Sequence, residues 1–287
     1  MKKIGFVGVG IMGKSMVRNL MKAGYELHIY ARTKAKVEDV IAEGAMFHET
    51  VGDCAANVDA MISIVGYPKD VEKVYFGENG ILDSAKEGTY VIDMTTSSPN
   101  LAKRIYEAAK EKGLHAMDAP VTGGDTGAKN GTLSILVGGD REDYEACHKI
   151  FEAMGTNINY EGGPGCGQHT KMANQIMIAG TMTGMTEMLV YAKATGLELE
   201  KVLETLSGGA AANWSMSNYS PRILQNDFSP GFFVKHFIKD LKIALDEAEK
   251  QQIALPGTAL AKELYEKLAN EGYENDGTQA LIKLWWK

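Results

Sequence analysis

A doubly wound α/β domain followed by an all-α domain, entered through one long central helix, is the architecture this sequence predicts. Three observations lead there. Short apolar segments alternate with helical ones through the first half, a glycine-dense run at 162–167 breaks the alternation, and everything beyond it reads as helix. The length of 287 residues suits one large or two medium domains. The break divides the chain into a domain over 1–162 and another over 163–287.

The elements follow in order. Residues 3–9 are short, apolar and rich in branched side chains, as in a strand, and 12–23 repeat apolar residues at helical spacing before stopping at Gly24. A second strand over 27–30, a helix over 34–43 ending at Gly44 and a third strand over 60–65 continue the pattern. A short helix over 71–76, a strand over 90–94, a helix over 101–112 ending at Gly113 and a strand over 115–118 come next. Strands over 132–137 and 157–160, around a helix over 141–154, close the domain. Such alternation implies parallel pairing through right-handed crossovers.

Gly162-Gly163-Pro164-Gly165-Cys166-Gly167 can continue neither element. Helices are then predicted over 168–195, 199–206, 234–252, 256–269 and 278–286. The first carries Met172, Ile176, Met177, Ile178, Met182, Met185, Met188, Leu189 and Val190 on most of its circumference, the pattern of a helix buried on all sides. At 1.5 Å per residue it reaches roughly 40 Å. A spine of that length is expected to pack against the first domain, a neighbouring subunit or both, and a homodimer or homotetramer is expected.

Between the first strand and the first helix lies Gly8-Val9-Gly10-Ile11-Met12-Gly13, the glycine spacing of a Rossmann-type dinucleotide turn. Gly8 permits the tight turn, Gly10 lets the backbone approach a pyrophosphate, and Gly13 lets the helix pack close on the strand. Ile11 and Met12 lie at the helix N-terminus, whose free N–H groups and partial positive charge face the phosphates. An NAD site would place an acid at the end of the second strand to bind the ribose hydroxyls. Here that strand ends Tyr30-Ala31-Arg32-Thr33, followed by Lys34 and Lys36, with no acid. Arg32 can pair with a 2′-phosphate, and Thr33 and Lys36 add donors. NADPH is therefore favoured over NADH.

Three further segments complete the pattern: Asp118-Ala119-Pro120-Val121-Thr122-Gly123-Gly124, Gly165-Cys166-Gly167-Gln168-His169-Thr170-Lys171-Met172-Ala173-Asn174-Gln175, and Lys239-Asp240-Leu241. With the glycine turn, and in this order along essentially the whole chain, they resemble the β-hydroxyacid dehydrogenase family. That family includes 3-hydroxyisobutyrate dehydrogenases and reductases of tartronate semialdehyde, glyoxylate or succinic semialdehyde.

The residues carry chemistry of their own beside that resemblance. Gly123 and Gly124 after a strand can turn successive N–H groups toward a carboxylate, with the Thr122 hydroxyl as an extra donor. The family usually has Ser where this chain has Thr122, and the resemblance implies substrate contact there. Lys171 stands in the first turns of the apolar helix, with Asn174 and Gln175 three and four residues later on the same face. A buried lysine can donate a proton near neutrality while a neighbouring amide orients a carbonyl. In the family this lysine is the catalytic acid or base. The resemblance also puts Lys239 at the cofactor and Asp240 beside the substrate. Thr96, in Asp93-Met94-Thr95-Thr96-Ser97, and the loop at Val65 are implied at the nicotinamide half, and Phe232 is expected to line the pocket. The expected reaction is hydride transfer between NADP(H) and a small carboxylate-bearing substrate such as 3-hydroxyisobutyrate, tartronate semialdehyde, glyoxylate or succinic semialdehyde.

Composition narrows the alternatives. Apolar residues make up 45% and charged residues 23%, the ordinary globular range. A net charge of -7 gives no basic patch for nucleic acid. Cys54, Cys147 and Cys166 have no Cys-x-x-Cys spacing and read as reduced thiols in cytoplasm; no metal is called for. The basic tip Met1-Lys2-Lys3 before an apolar stretch lacks a small-residue cleavage site, and no apolar run reaches the roughly 18 residues of a membrane span. An imine reductase shares the architecture but typically replaces the lysine by Asp or Tyr. A silent NADP-binding protein would be expected to lose Lys171.

Overall fold

The computed structural model describes residues 1–286; Lys287, the last residue of the predicted second domain, lies outside the described residues. Two compact units divide the chain, Met1–Lys171 and Met172–Lys287. In the first, β1 (Lys3–Val7) leads to α1 (Ile11–Lys22), β2 (Glu26–Tyr30), α2 (Glu38–Ala42), β3 (Met46–His48), α3 (Val51–Ala55) and β4 (Ala60–Ser63). Then come α4 (Pro68–Phe76), α5 (Ile81–Ser84), β5 (Tyr90–Asp93), α6 (Pro99–Glu111), β6 (His115–Asp118) and β7 (Val121–Thr122). The unit ends with α7 (Gly124–Asn130), β8 (Leu133–Gly139), α8 (Arg141–Glu152), β9 (Gly155–Gly162) and the opening turns of α9 (Cys166–Ala194).

Among the described residues these strands form one nine-stranded sheet in the order β3-β2-β1-β4-β5-β6-β8-β7, with β9 beside β8. Side chains alternate across it with the two-residue period of a strand. Ile4, Phe6, Ile62 and Ile92 face one core with Met16, Val17 and Leu20 of α1 and Ile150 and Phe151 of α8. Val7, Met61 and Val91 face the other, with Val71 and Tyr75 of α4 and Leu101 and Ile105 of α6. Helices thus cover both faces, as the doubly wound reading expects.

The structure corrects several particulars. The strand expected third is β4, because Met46–His48 pairs with β2 as an extra edge strand. Pairing is parallel from β3 through β6, but β8 runs antiparallel to β6 and β7. Between β6 and β8 the chain makes only the two-residue β7 and the seven-residue α7, a return without the long helical crossover that parallel entry needs. The helix expected over 34–43 is a 3-10 turn, Lys34–Lys36, followed by α2, with Val37 non-helical between them and wholly buried.

The second unit continues α9 and adds α10 (Leu199–Ser207), α11 (Trp214–Leu224), α12 (Val234–Lys250) and α13 (Pro256–Leu268), then a 3-10 helix over Thr278–Leu284. α11 was not expected from the sequence, since Pro221 lies inside it; Asn213 caps it by accepting from the Met216 amide. Met182, Met185 and Leu189 of α9 pack with Phe237 and Leu241 of α12 and Tyr265 of α13. The expectation that α9 is buried on all sides is not met within the chain. Ala173, Met177, Gly180, Gly184, Glu187 and Tyr191 form an exposed stripe, with Met177 67% and Tyr191 69% accessible. No helix among the described residues is long and apolar enough to cross a membrane.

Candidate active site

The glycine turn is built for an anion. Gly8 has φ +96°, and a Cβ there would strike the Ile64 carbonyl; a Cβ on Gly13 would strike the Gly8 carbonyl. Those two glycines are required by the fold itself. Gly10 is different, for a Cβ there would meet nothing within 4 Å. Its bareness leaves a cradle over the start of α1, where Gly10 supplies no side-chain cap and the first turn holds no acid. Ile11 is exposed and Met12 half-buried beside this opening. β1 and β4 flank the point where the strand order reverses, the place at which such sheets bind ligands.

Past β2, Arg32, Thr33 and Lys36 are all exposed. The acids that follow are engaged elsewhere. Lys14 Nζ lies 2.8 Å from Asp39 Oδ1, and Arg18 donates to Asp39 at 2.8 Å and to Glu43 at 2.7 Å. Those cations hold the Asp39 carboxyl at about 2.

At the carboxyl ends of β4, β5 and β6 the loops are tied together. The Val65 amide donates to Thr95 Oγ1 at 2.9 Å, and the Thr95 amide to Asp93 Oδ1 at 3.1 Å. Gln168, wholly buried, brackets the half-buried Thr96: its Nε2 donates to the Thr95 carbonyl at 2.7 Å and its Oε1 accepts from the Ser97 amide at 2.8 Å. Asp118 in turn accepts from the Gly165 and Gln168 amides, at 2.7 and 2.8 Å, so a carboxylate from the sheet holds the N-terminus of α9. Close approach needs glycine on both sides. A Cβ on Gly138 would lie 2.7 Å from the Gly167 nitrogen, and one on Gly167 would lie 2.8 Å from the Asp118 carbonyl oxygen. Burial, with a smaller push from the Asp93 charge, raises the Asp118 carboxyl to about 6 against the pull of those two amides. Lys171, 6% exposed, follows one turn after Gln168.

Thr122 ends β7, and Gly123 and Gly124 have φ of +123° and +63°. Gly123 caps α7, so successive N–H groups turn at this point. Asp125 stands in the same first turn and accepts from the Thr126 amide at 2.8 Å.

In the second unit Asn174 Nδ2 donates to Gln175 Oε1 and Gln175 Nε2 to Asp240 Oδ2, both at 2.7 Å. Lys239 Nζ lies 2.7 Å from Asp240 Oδ1, so the carboxylate, 1% exposed, is countered by an ammonium and an amide. Phe232 is half-buried, its ring edge-on to Phe237 with centroids 5.8 Å apart.

Sequence comparison decides the family. Residues 3–162 match the family model of the NAD binding domain of 6-phosphogluconate dehydrogenase, and 165–285 that of the NAD-binding of NADP-dependent 3-hydroxyisobutyrate dehydrogenase. The chain belongs to the β-hydroxyacid dehydrogenase family. It is 57% identical over 286 residues to an uncharacterized oxidoreductase of Bacillus subtilis, covering 100% of this chain and 99% of that one. It is 36% identical to the 2-hydroxy-3-oxopropionate reductase of Escherichia coli (98% of this chain, 96% of that one) and 36% to the NAD-dependent L-serine dehydrogenase of Pseudomonas aeruginosa (99% and 98%). A solved structure of Mycobacterium tuberculosis 3-hydroxyisobutyrate dehydrogenase with L-serine superposes with a TM-score of 0.92 at 27% identity, covering 99% of each chain.

The Rossmann-type first domain and helical second domain expected from sequence are those of this dehydrogenase family, which uses a nicotinamide dinucleotide. Within the first unit the structure joins the loops at Val65 and Thr96 to the helix of Lys171. Within the second it joins Asn174, Gln175, Lys239 and Asp240. The sequence reading gave no role to Thr95, Asp118 or Gln168. Asp118 and Gln168 lie inside the motif segments, but a buried amide and a buried carboxylate signal nothing until their partners 47 to 73 residues away are known.

Proposed function

We propose that the protein transfers a hydride between NADP(H) and a small carboxylate-bearing aldehyde or 2-oxo acid, with Lys171 as the general acid in reduction. The bound nicotinamide supplies the hydride. Lys171 donates a proton to the carbonyl oxygen that becomes the hydroxyl, and Asn174 orients that oxygen. In this reading Thr122, Gly123 and Gly124 serve the carboxylate, Gln175, Asp240 and Phe232 the rest of the substrate, and Lys239 the cofactor. The observation that carries this reading is the near-complete burial of Lys171 one turn beyond the tie between α9 and the Thr95–Ser97 loop.

NADPH is the preferred cofactor in this reading because Arg32, Thr33 and Lys36 follow β2 where an NAD enzyme would carry an acid. A relative named for NAD and a family model named for NADP put both habits in the family. The exposed stripe of α9 supports assembly as a homodimer or homotetramer, which light scattering tests. The deciding experiment follows absorbance at 340 nm for glyoxylate, succinic semialdehyde, tartronate semialdehyde and methylmalonate semialdehyde with NADPH and then NADH. Turnover of one acid with strong NADPH preference is expected; no turnover with any sends the reading to an imine reductase or a silent binder.

A further inference from the structure

We propose that Gln168 is a positioning residue that sets Lys171 against the Thr95–Ser97 loop, with Asp118 as its anchor. The inference rests on the reading of Lys171 as proton donor. Gln168 reaches both sides of Thr96, donating to the Thr95 carbonyl and accepting from the Ser97 amide, so its side-chain amide pairs with the loop as another backbone strand would. Its own backbone amide is held by Asp118, as is that of Gly165. Thr95 takes the Val65 amide on its hydroxyl and gives its own amide to Asp93. The Gln168 side chain thus grips one loop, which Thr95 ties in turn to Val65 and Asp93, while Asp118 fixes the helix N-terminus from which that side chain projects.

Lys171 follows by three residues, one helical turn on the same face. A helix turn transmits a shift of its first residues almost undiminished, because its hydrogen bonds close from each residue to the fourth before it. Whatever fixes Gln168 to the loop fixes the base of the Lys171 side chain as well. An apolar residue would pack the same space with less desolvation, but it would slide; two directional bonds on either side of one residue define a register. Displacements near 1 Å at a reacting group suppress rate about a hundredfold, which makes such a register worth having.

The test compares Gln168→Met, which keeps shape and removes both bonds, with Gln168→Glu, which keeps the acceptor for the Ser97 amide and loses the donor to the Thr95 carbonyl unless protonated. Turnover on the substrate found above, NADPH affinity by fluorescence, and hydrogen exchange at the Ser97 amide are read for each. Gln168→Met should lose about 10- to 100-fold in kcat with the NADPH Kd within about threefold, since neither lost bond involves a residue of the glycine turn, and the Ser97 amide should exchange faster. Gln168→Glu should gain turnover as pH falls, relative to the wild type, as its carboxyl regains the donor. Asp93, Asp118 and Lys171 also face this region, so Gln168→Met, which adds no charge beside them, is run over the same pH range as the control. A Gln168→Met protein that exchanges faster at Ser97 yet keeps wild-type kcat overturns the proposal. If Gln168→Met does not fold, Gln168→Glu decides alone, a wild-type pH profile being the contrary result. Lys171→Ala is assayed in parallel: full turnover there removes the reading beneath the proposal, whereas an inert Lys171→Ala beside a fully active Gln168→Met removes the proposal only.

Discussion

Asp93 and Asp118 are register partners on the adjacent parallel strands β5 and β6, and both carboxylates are buried. Asp93 accepts from the Ser63 hydroxyl at 2.8 Å and the Thr95 amide, whereas Asp118 holds two amides of another element and has its carboxyl raised to about 6, chiefly by burial. The pair places a second negative charge where one is already difficult to keep.

Stability should therefore carry a signature of Asp118. Its folded value stands above the ordinary 3.8, so folding takes up a proton between about 4 and 6. The contribution is fully present below about 4 and is lost as pH rises through about 6, by roughly 3 kcal/mol for a two-unit shift. In Asp118→Asn this dependence disappears, although one amide of α9 then faces an NH2. Melting curves from pH 4 to 8 should show the variant gaining on the wild type as pH rises through that window; a constant difference would mean that Asp118 does not titrate there.

Two alanine substitutions in the glycine turn should fail differently. Gly13→Ala drives a Cβ into the Gly8 carbonyl and should lower Tm by several degrees, as a backbone collision of about 1 to 3 kcal/mol would. Gly10→Ala meets no protein atom within 4 Å, so Tm should hold while the NADPH Kd rises at least tenfold, on the order of 1.4 kcal/mol. Differential scanning fluorimetry and cofactor titration separate the two.

Lys171→Ala should reduce turnover by about 100- to 10,000-fold and leave the NADPH Kd nearly unchanged. Steady-state kinetics with a fluorescence titration check both halves. Near-wild-type turnover would take Lys171 out of the chemistry.

Arg32→Ala should raise KM for NADPH by about ten- to a hundredfold, the loss of a charge-assisted contact of roughly 1.5 to 3 kcal/mol, and change KM for NADH little. Equal effects on the two cofactors would assign Arg32 to something other than a 2′-phosphate.

The sequence makes legible what repeats locally or breaks sharply. β1, the turn at Gly8 and α1 are read correctly because an apolar run, a glycine spacing and a helical period stand in succession, and β5, α6 and β6 for similar reasons. β3 is too short, at three residues, to show a period. The reversal of β8 follows from what is missing between it and β6, not from any residue within it. α11 is masked by its own Pro221. In the site, Gly10 is identified by spacing and then by the empty space around it, whereas Asp118 and Gln168 act through partners 47 to 73 residues away. Contacts at that separation leave no local pattern.

The clasp of Asp118 on α9 also bears on where this chain can be divided. The glycine-rich run after β9 looks like the seam, and a half-molecule ending at Gly162 would contain every strand. It would also strip Asp118 of the amides of Gly165 and Gln168, the two donors that another element lends its carboxylate. A nucleotide-binding half meant to stand alone has to run on through the opening of α9, because the sheet uses those amides to settle its own charge.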